Sequence, residues 1–201
     1  MLTAQIASNV TIPLWVRVFH WLNVVAVAVM LMSGLRIYNA SPLFDFLFPP
    51  WITLGGWLGG ALLWHFAAMW LLAVNLLAYL AMSLASRRFF KRFLPLTPAS
   101  VLRDALSFVR GKLSHDNLAE YNALQKLAYL TAIACLCLLV LSGLAIWKPV
   151  QLPLLRDTFG GFDQARVVHF VVMAVLAGFI VVHVAMVALV PKTLMLMIKG
   201  R

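Results

Sequence analysis

Residues 166–190 read RVVHFVVMAVLAGFIVVHVAMVALV. The stretch holds no acidic residue, opens on Arg166, and carries two histidines, His169 and His183, in an otherwise apolar run. About 20 apolar residues span a hydrocarbon core of roughly 30 Å, so this segment predicts a transmembrane helix. At about 100° per residue the 14 steps from His169 to His183 return to within about 40° of the starting direction. Both imidazoles then project from one face, about 21 Å apart along the axis, one near each leaflet. Ionisable groups at membrane depth are costly and face a partner or a cofactor. The helix therefore needs something across from it at two depths.

Working outward, three more apolar runs appear at Leu14–Leu35, about Trp57–Leu84 and about Leu124–Trp147. The expected fold is an all-α integral membrane protein, a bundle of four transmembrane helices over residues 14–36, 57–85, 122–147 and 166–190. Residues 86–121 form the long loop of a single domain covering 1–201. The first run is too long for a secretory leader, lacks a basic start, and is read as a retained span. A chain of 201 residues with 64% apolar and 11% charged residues and a mean hydropathy of +0.96 is not a water-soluble domain. The same figures exclude a disordered tail, a disulfide scaffold and a nucleic-acid-binding domain, although the net charge is +10.

Position explains the charge. Arg87, Arg88, Lys91, Arg92, Arg103, Arg110, Lys112 and Lys126 cluster around the long loop, Arg17 precedes the first apolar core, and Lys192, Lys199 and Arg201 follow the fourth. Against these twelve, only Arg36, Lys148, Arg156 and Arg166 lie on the other side. The count puts both termini and the long loop in the cytoplasm. Within that loop Thr97-Pro98 reads as a helix start, and Val101, Leu102, Ala105, Leu106, Val109 and Leu113 recur at helical spacing. This is either a short interfacial helix on the anionic leaflet or an ordinary helix in a solvated loop. Ser33-Gly34-Leu35 and Ser142-Gly143-Leu144 close the first and third spans alike, the mark of a weak two-helix repeat.

The fourth helix enters from outside, so His169 lies near the outer surface and His183 near the inner one. His20 is about six residues into the first core from the cytoplasm, level with His183, and His65 about eight residues into the second from outside, level with His169. Depth thus pairs His20 with His183 and His65 with His169. Two imidazoles at one depth on different helices suit axial ligation of haem iron from both faces, and two pairs imply two stacked haems. Zinc or copper would want three or four clustered ligands. Cys135 and Cys137 lie inside an apolar run, and no Cys-x-x-Cys-His is present, so the haem would be non-covalent. Arg17 and Arg166 each stand one turn toward water from a histidine, where they and Arg36 are candidates to meet haem propionates or to snorkel. Gly34 and Gly143 would let a macrocycle approach the backbone or let helices pack.

Arg17-x-x-His20-Trp21, Ser33-Gly34, Trp64-His65, Tyr121-Asn122-x-x-Gln125-Lys126 and His169 with His183 resemble the bacterial cytochrome b561 superfamily. That group includes the membrane cytochrome b subunits of nickel–iron hydrogenases, formate dehydrogenases and thiosulfate reductases. Gly55-Gly56-Trp57 and Ser142 to Pro149 look closest to the thiosulfate-reductase-like branch. The resemblance implies two haem b groups with the same histidine pairing, and electron transfer between a periplasmic redox partner, such as a molybdopterin oxidoreductase, and ubiquinone or menaquinone. It also implies a quinone pocket at Asn122 and Gln125, with Lys126 beside it. A polar helix start, with Asn122 as cap and Lys126 as interfacial anchor, is the competing account of those residues.

The expected partners are membrane lipid, a quinone and a periplasmic redox protein, with no nucleic acid; a homodimer stays open. A stand-alone quinone oxidoreductase acting on a small molecule such as superoxide is the alternative function. A small proton or metal-ion transporter is the alternative of another class, separable from a cytochrome by a visible spectrum.

Overall fold

The computed structural model describes residues 11–109 and 122–200. Arg110, Lys112, Leu113, His115, Tyr121 and Arg201, which figure in the readings above, lie outside the described residues. Among those described, regular structure is entirely helical: α1 (Leu14–Ala40), α2 (Leu58–Ala85), α3 (Arg88–Phe93), α4 (Pro98–Val109), α5 (Ala123–Trp147), α6 (Pro153–Thr158), α7 (Phe162–Leu189) and α8 (Pro191–Lys199). A 3-10 turn at Pro50–Ile52 precedes α2.

Four of these helices, α1, α2, α5 and α7, are long and apolar enough to cross a membrane. Inside a bilayer only such continuous helices satisfy every backbone N–H and C=O internally. Punctuation follows proline and glycine. Pro153 and Pro191 occupy first-turn positions of α6 and α8, where a missing N–H costs nothing. Gly160 and Gly161, with φ of 82° and 97°, turn the chain from α6 into α7.

The chain divides into two compact units. One comprises Met1–Arg17, Leu80–Leu136 and Leu176–Arg201; the other comprises Val18–Tyr79 and Cys137–Val175. In the first unit the start of α5 is capped three times. Its Ala123 N–H donates to Asp104 of α4 at 2.7 Å, the Gln125 N–H to the Asn122 side chain at 2.8 Å, and the Asn122 N–H to the Gln125 side chain at 3.2 Å. The last two form a reciprocal capping box. Thr97 and Ser100 close the start of α4 in the same reciprocal way. The Ile12 N–H donates to the Gly200 carbonyl at 3.1 Å, drawing the chain before α1 onto the end of α8.

The second unit is a four-helix bundle in its own right. Ser33 of α1 meets His65 of α2, Ser142 of α5 meets His169 of α7, Tyr38 of α1 stacks on Phe170 of α7, and Trp147 of α5 packs on Phe66 of α2. These contacts close a ring of neighbours, α1 to α2 to α5 to α7, that leaves α2 and α7 on opposite corners. Asn39 binds both backbone groups of Phe48, at 2.8 and 2.9 Å, and folds the loop after α1 back over the bundle end.

Candidate haem-binding site

The site is built from residues that recur. Ser33, Gly34 and Tyr38 of α1 correspond to Ser142, Gly143 and Trp147 of α5 at a constant separation of 109 residues, and His65-Phe66 of α2 to His169-Phe170 of α7 at 104. The contacts recur with them. Each serine hydroxyl donates to the carbonyl four residues back, Ser33 to Val29 at 2.6 Å and Ser142 to Leu138 at 2.7 Å. Each serine oxygen then meets Nδ1 of the histidine on the next helix, 3.0 Å for His65 and 2.8 Å for His169. A Cβ at Gly34 or Gly143 would fall 3.4 Å from Cε1 of the same ring. Tyr38 crosses to Phe170 at 4.9 Å and Trp147 to Phe66 at 5.3 Å, so the aromatic pairs are exchanged between the two hairpins. The two-helix repeat that Ser-Gly-Leu hinted at extends to the contacts these residues make.

This geometry selects a tautomer. A hydroxyl has one proton, and each serine gives it to a helix carbonyl. Its oxygen can therefore only accept from the imidazole, which places the histidine proton on Nδ1. Nε2 of each ring is then left with its lone pair, the form in which imidazole binds a metal. A metal-bound histidine characteristically donates its other N–H in this way. Both serines are fully buried, so no water competes for those bonds. The residues present thus fit bis-imidazole ligation of a haem iron. Among the described residues no group of three or more His, Cys, Asp or Glu forms, which is the donor set a zinc site would need.

The other two histidines lie in different units and are described separately. His20, in the second unit, packs edge-on against Trp21 with ring centres 5.4 Å apart. His183, in the first, is stacked on Phe179 at 5.7 Å and 14°.

The arginines are already engaged. Arg166 donates to the Ser41 carbonyl at 2.6 Å and to its hydroxyl at 3.2 Å, tying α7 to the end of α1. Arg17 donates through Nη1 to the Ile198 carbonyl at 2.6 Å, while its Nε is buried with no hydrogen-bond partner among the described residues. Gly200, at φ 84°, lets the end of α8 lie against that guanidinium; a Cβ there would be 2.9 Å from Cζ. Arg36 lies partly exposed on α1, two residues before the buried Tyr38. Gly34 and Gly143 pass their small size to a histidine ring rather than to a neighbouring helix backbone.

Asn122 and Gln125 are where the helix-start account put them, since both amide oxygens are used in the cap of α5. The N–H donors that a quinone carbonyl would require sit on the other atom of each amide. Lys126 reaches the Pro95 carbonyl at 3.4 Å. Asp104, which holds α4 to this point, went unnoticed in the sequence. Its signal was there, an acid in a loop otherwise rich in Lys and Arg. Asn23 and Asn75, two amides in apolar spans, were also passed over.

Residues 11–200 match the family described as prokaryotic cytochrome b561. The chain is also 58% identical, over 188 residues, to a protein of Azospira oryzae named putative protein-methionine-sulfoxide reductase subunit YedZ1, covering 94% of this chain and 95% of that one.

Proposed function

The chain belongs to the prokaryotic cytochrome b561 family, multi-pass membrane cytochromes that carry b-type haem and transfer electrons, and on that premise we propose that it is a di-haem subunit. It takes electrons from a quinol and delivers them to a reductase partner. The observation that carries the reading is the matched pair of Ser–His contacts, which presents two Nε2 atoms from opposite corners of one four-helix bundle. His65 and His169 hold one haem, on the periplasmic side, and His20 and His183 the other, on the cytoplasmic side. The domain is single and runs through all four spans, with both termini and the long loop cytoplasmic, as the twelve-to-four distribution of Lys and Arg supports.

A haem held by two imidazoles would supply one-electron transfer. The chain's own part is to hold the ligands and exclude water. Ser33 and Ser142 keep the outer imidazoles in one tautomer and one plane, which limits rearrangement when an electron arrives. Asn122 and Gln125 orient a quinol at the start of α5 through their amide N–H groups, with the Lys126 ammonium beside them as a further hydrogen-bond donor. Arg17, Arg36 and Arg166 would offer their remaining guanidinium N–H donors to the cofactor's carboxylates near the two membrane surfaces.

The Azospira relative is named as a subunit of a protein-methionine-sulfoxide reductase. We extend that class to this chain: its partner reduces a sulfoxide on the periplasmic side, and electrons run from quinol through the inner haem to the outer one.

The test is a pyridine haemochrome assay on purified protein, expected to give two acid-extractable haems per chain. His65→Ala and His169→Ala should each remove the same spectral component, and His20→Ala and His183→Ala the other. One haem per chain, or a His20 variant losing the His65 component, overturns the assignment.

A further inference from the structure

Asn75 is a buried amide in the middle of α2, 3% exposed. Its Nδ2 donates to the Phe19 carbonyl at 2.9 Å and to Asn23 Oδ1 at 2.7 Å. Phe19 immediately precedes His20 and Asn23 follows it by three residues, so the two bonds bracket the turn of α1 that carries the histidine. Neither bond is needed to satisfy the backbone, because a helix carbonyl already accepts from the N–H four residues on. They constrain instead. A side chain that grips one helix turn at two points fixes both the depth of that turn and its rotation about the helix axis.

The grip has a cost. Asn75 Oδ1 is buried with no hydrogen-bond partner among the described residues. A half-satisfied amide in hydrocarbon is less favourable than the leucine that would fill the same volume. Stability alone would favour the leucine, so the amide answers to something else.

We infer that Asn75 is a positioning residue for His20, holding the turn of α1 so that the imidazole plane and height are fixed. The inference rests on the reading of His20 as an axial ligand. Outer-shell contacts that orient a ligating histidine tune the metal they never touch. The effect belongs in the magnetic and redox properties of one haem, not in haem count.

The experiment uses the full chain in detergent or nanodiscs, with haem content, the low-field EPR signals of the two ferric haems, and their midpoint potentials as readouts. His20→Ala first identifies the component that depends on His20. Asn75→Leu, which removes both bonds at similar volume, should keep two haems while shifting the signal and potential of that component alone. Asn23→Ala, which removes one bond and leaves the bond to Phe19, should shift the same component in the same direction by less. Unchanged signals in both variants, or a shift in the component that survives His20→Ala, overturns the inference. Should Asn75→Leu fail to assemble, Asn23→Ala decides alone, and a wild-type signal there counts against it. If His20→Ala keeps both components, the ligand reading falls first and the positioning role with it.

Discussion

Ser33 Oγ lies 3.0 Å from Nδ1 of His65 after spending its only proton on the Val29 carbonyl, so the serine dictates which nitrogen of the histidine carries hydrogen. A helix-internal serine bonding back to the preceding turn is ordinarily a mild helix defect. Here the back-bond turns a hydroxyl, which could donate or accept, into a pure acceptor. That conversion underlies the first prediction.

Ser33→Ala and Ser142→Ala should each weaken retention of the haem held by His65 and His169, by about ten- to a hundredfold, the usual cost of losing an outer-shell partner of a metal ligand. The two variants should act equally, since their geometry is the same. Haem content after dilution and a redox titration of the separate components would check this; an effect confined to one serine would break the repeat.

Gly34 and Gly143 offer a graded test. A Cβ at either position would make ordinary contact with the imidazole at 3.4 Å, so alanine should be tolerated. Valine adds methyl groups that the ring must yield to, and overpacking of this kind costs about 1–3 kcal/mol. Gly34→Val or Gly143→Val should lose the outer spectral component while Gly34→Ala and Gly143→Ala keep it.

At the start of α5 the cap and the proposed quinol contact can be separated, because they use different atoms of the same amides. Asn122→Ser keeps a capping oxygen and removes the amide N–H, and Gln125→Glu does the same at its position. Both should fold with two haems reducible by dithionite yet be reduced by a quinol analogue at least tenfold more slowly, about 1.4 kcal/mol of transition-state stabilisation. Asp104→Ala, which removes the carboxylate that caps Ala123, should lower thermal stability without that kinetic selectivity. Wild-type quinol kinetics in both amide variants would move the quinone site elsewhere.

A pH response follows from the loop between α5 and α7. A hydrogen bond from Arg156 Nε at 2.7 Å holds the Asp157 carboxyl below its usual range. A lowered carboxylate pKa gives stability that is complete above the unfolded value, about 3.9, and fades only as pH falls through the folded value. Both groups are exposed to solvent, where such pairs contribute little. Asp157→Asn should therefore lower the melting temperature only slightly between pH 5 and 8, and even that difference from the parent should vanish in more acid buffer, where the parent's own carboxylate is protonated.

The membrane helices were readable because hydrocarbon thickness imposes a length that a run of apolar residues must meet, and α2 and α5 begin and end within a residue of expectation. α1 runs on to Ala40, past residue 36, because Tyr38 remains buried under Phe46, Phe48 and Phe170 beyond the apolar core. α7 starts at Phe162 rather than 166, since the Gly160-Gly161 turn sets its beginning before hydropathy does. The short α3, α6 and α8 carry too few residues to move a hydropathy average, although Pro153, Pro191 and Gly200 marked two of them. In the sequence the serines stand out as part of a repeat and not for their proton. Direction of a hydroxyl depends on which carbonyl and which ring lie within reach, and that is a property of the packed bundle. Asn75 escaped for the same reason, since a lone amide in an apolar span acquires meaning only from the turn it grips.

Protohaem is not symmetric: its two vinyl groups make one face the mirror image of the other, and turning the ring over about the axis between its propionates exchanges them. A seat in which Ser33, Gly34 and His65 on one side repeat as Ser142, Gly143 and His169 on the other offers the same surroundings to either face. The flanking pairs differ, a phenol on Phe170 against an indole on Phe66. A haem held between His65 and His169 would accordingly enter both ways up in comparable amounts, and ring-methyl resonances of the ferric protein would appear in duplicate. The two rotational isomers would be a chemical record of the doubled hairpin from which the seat is made.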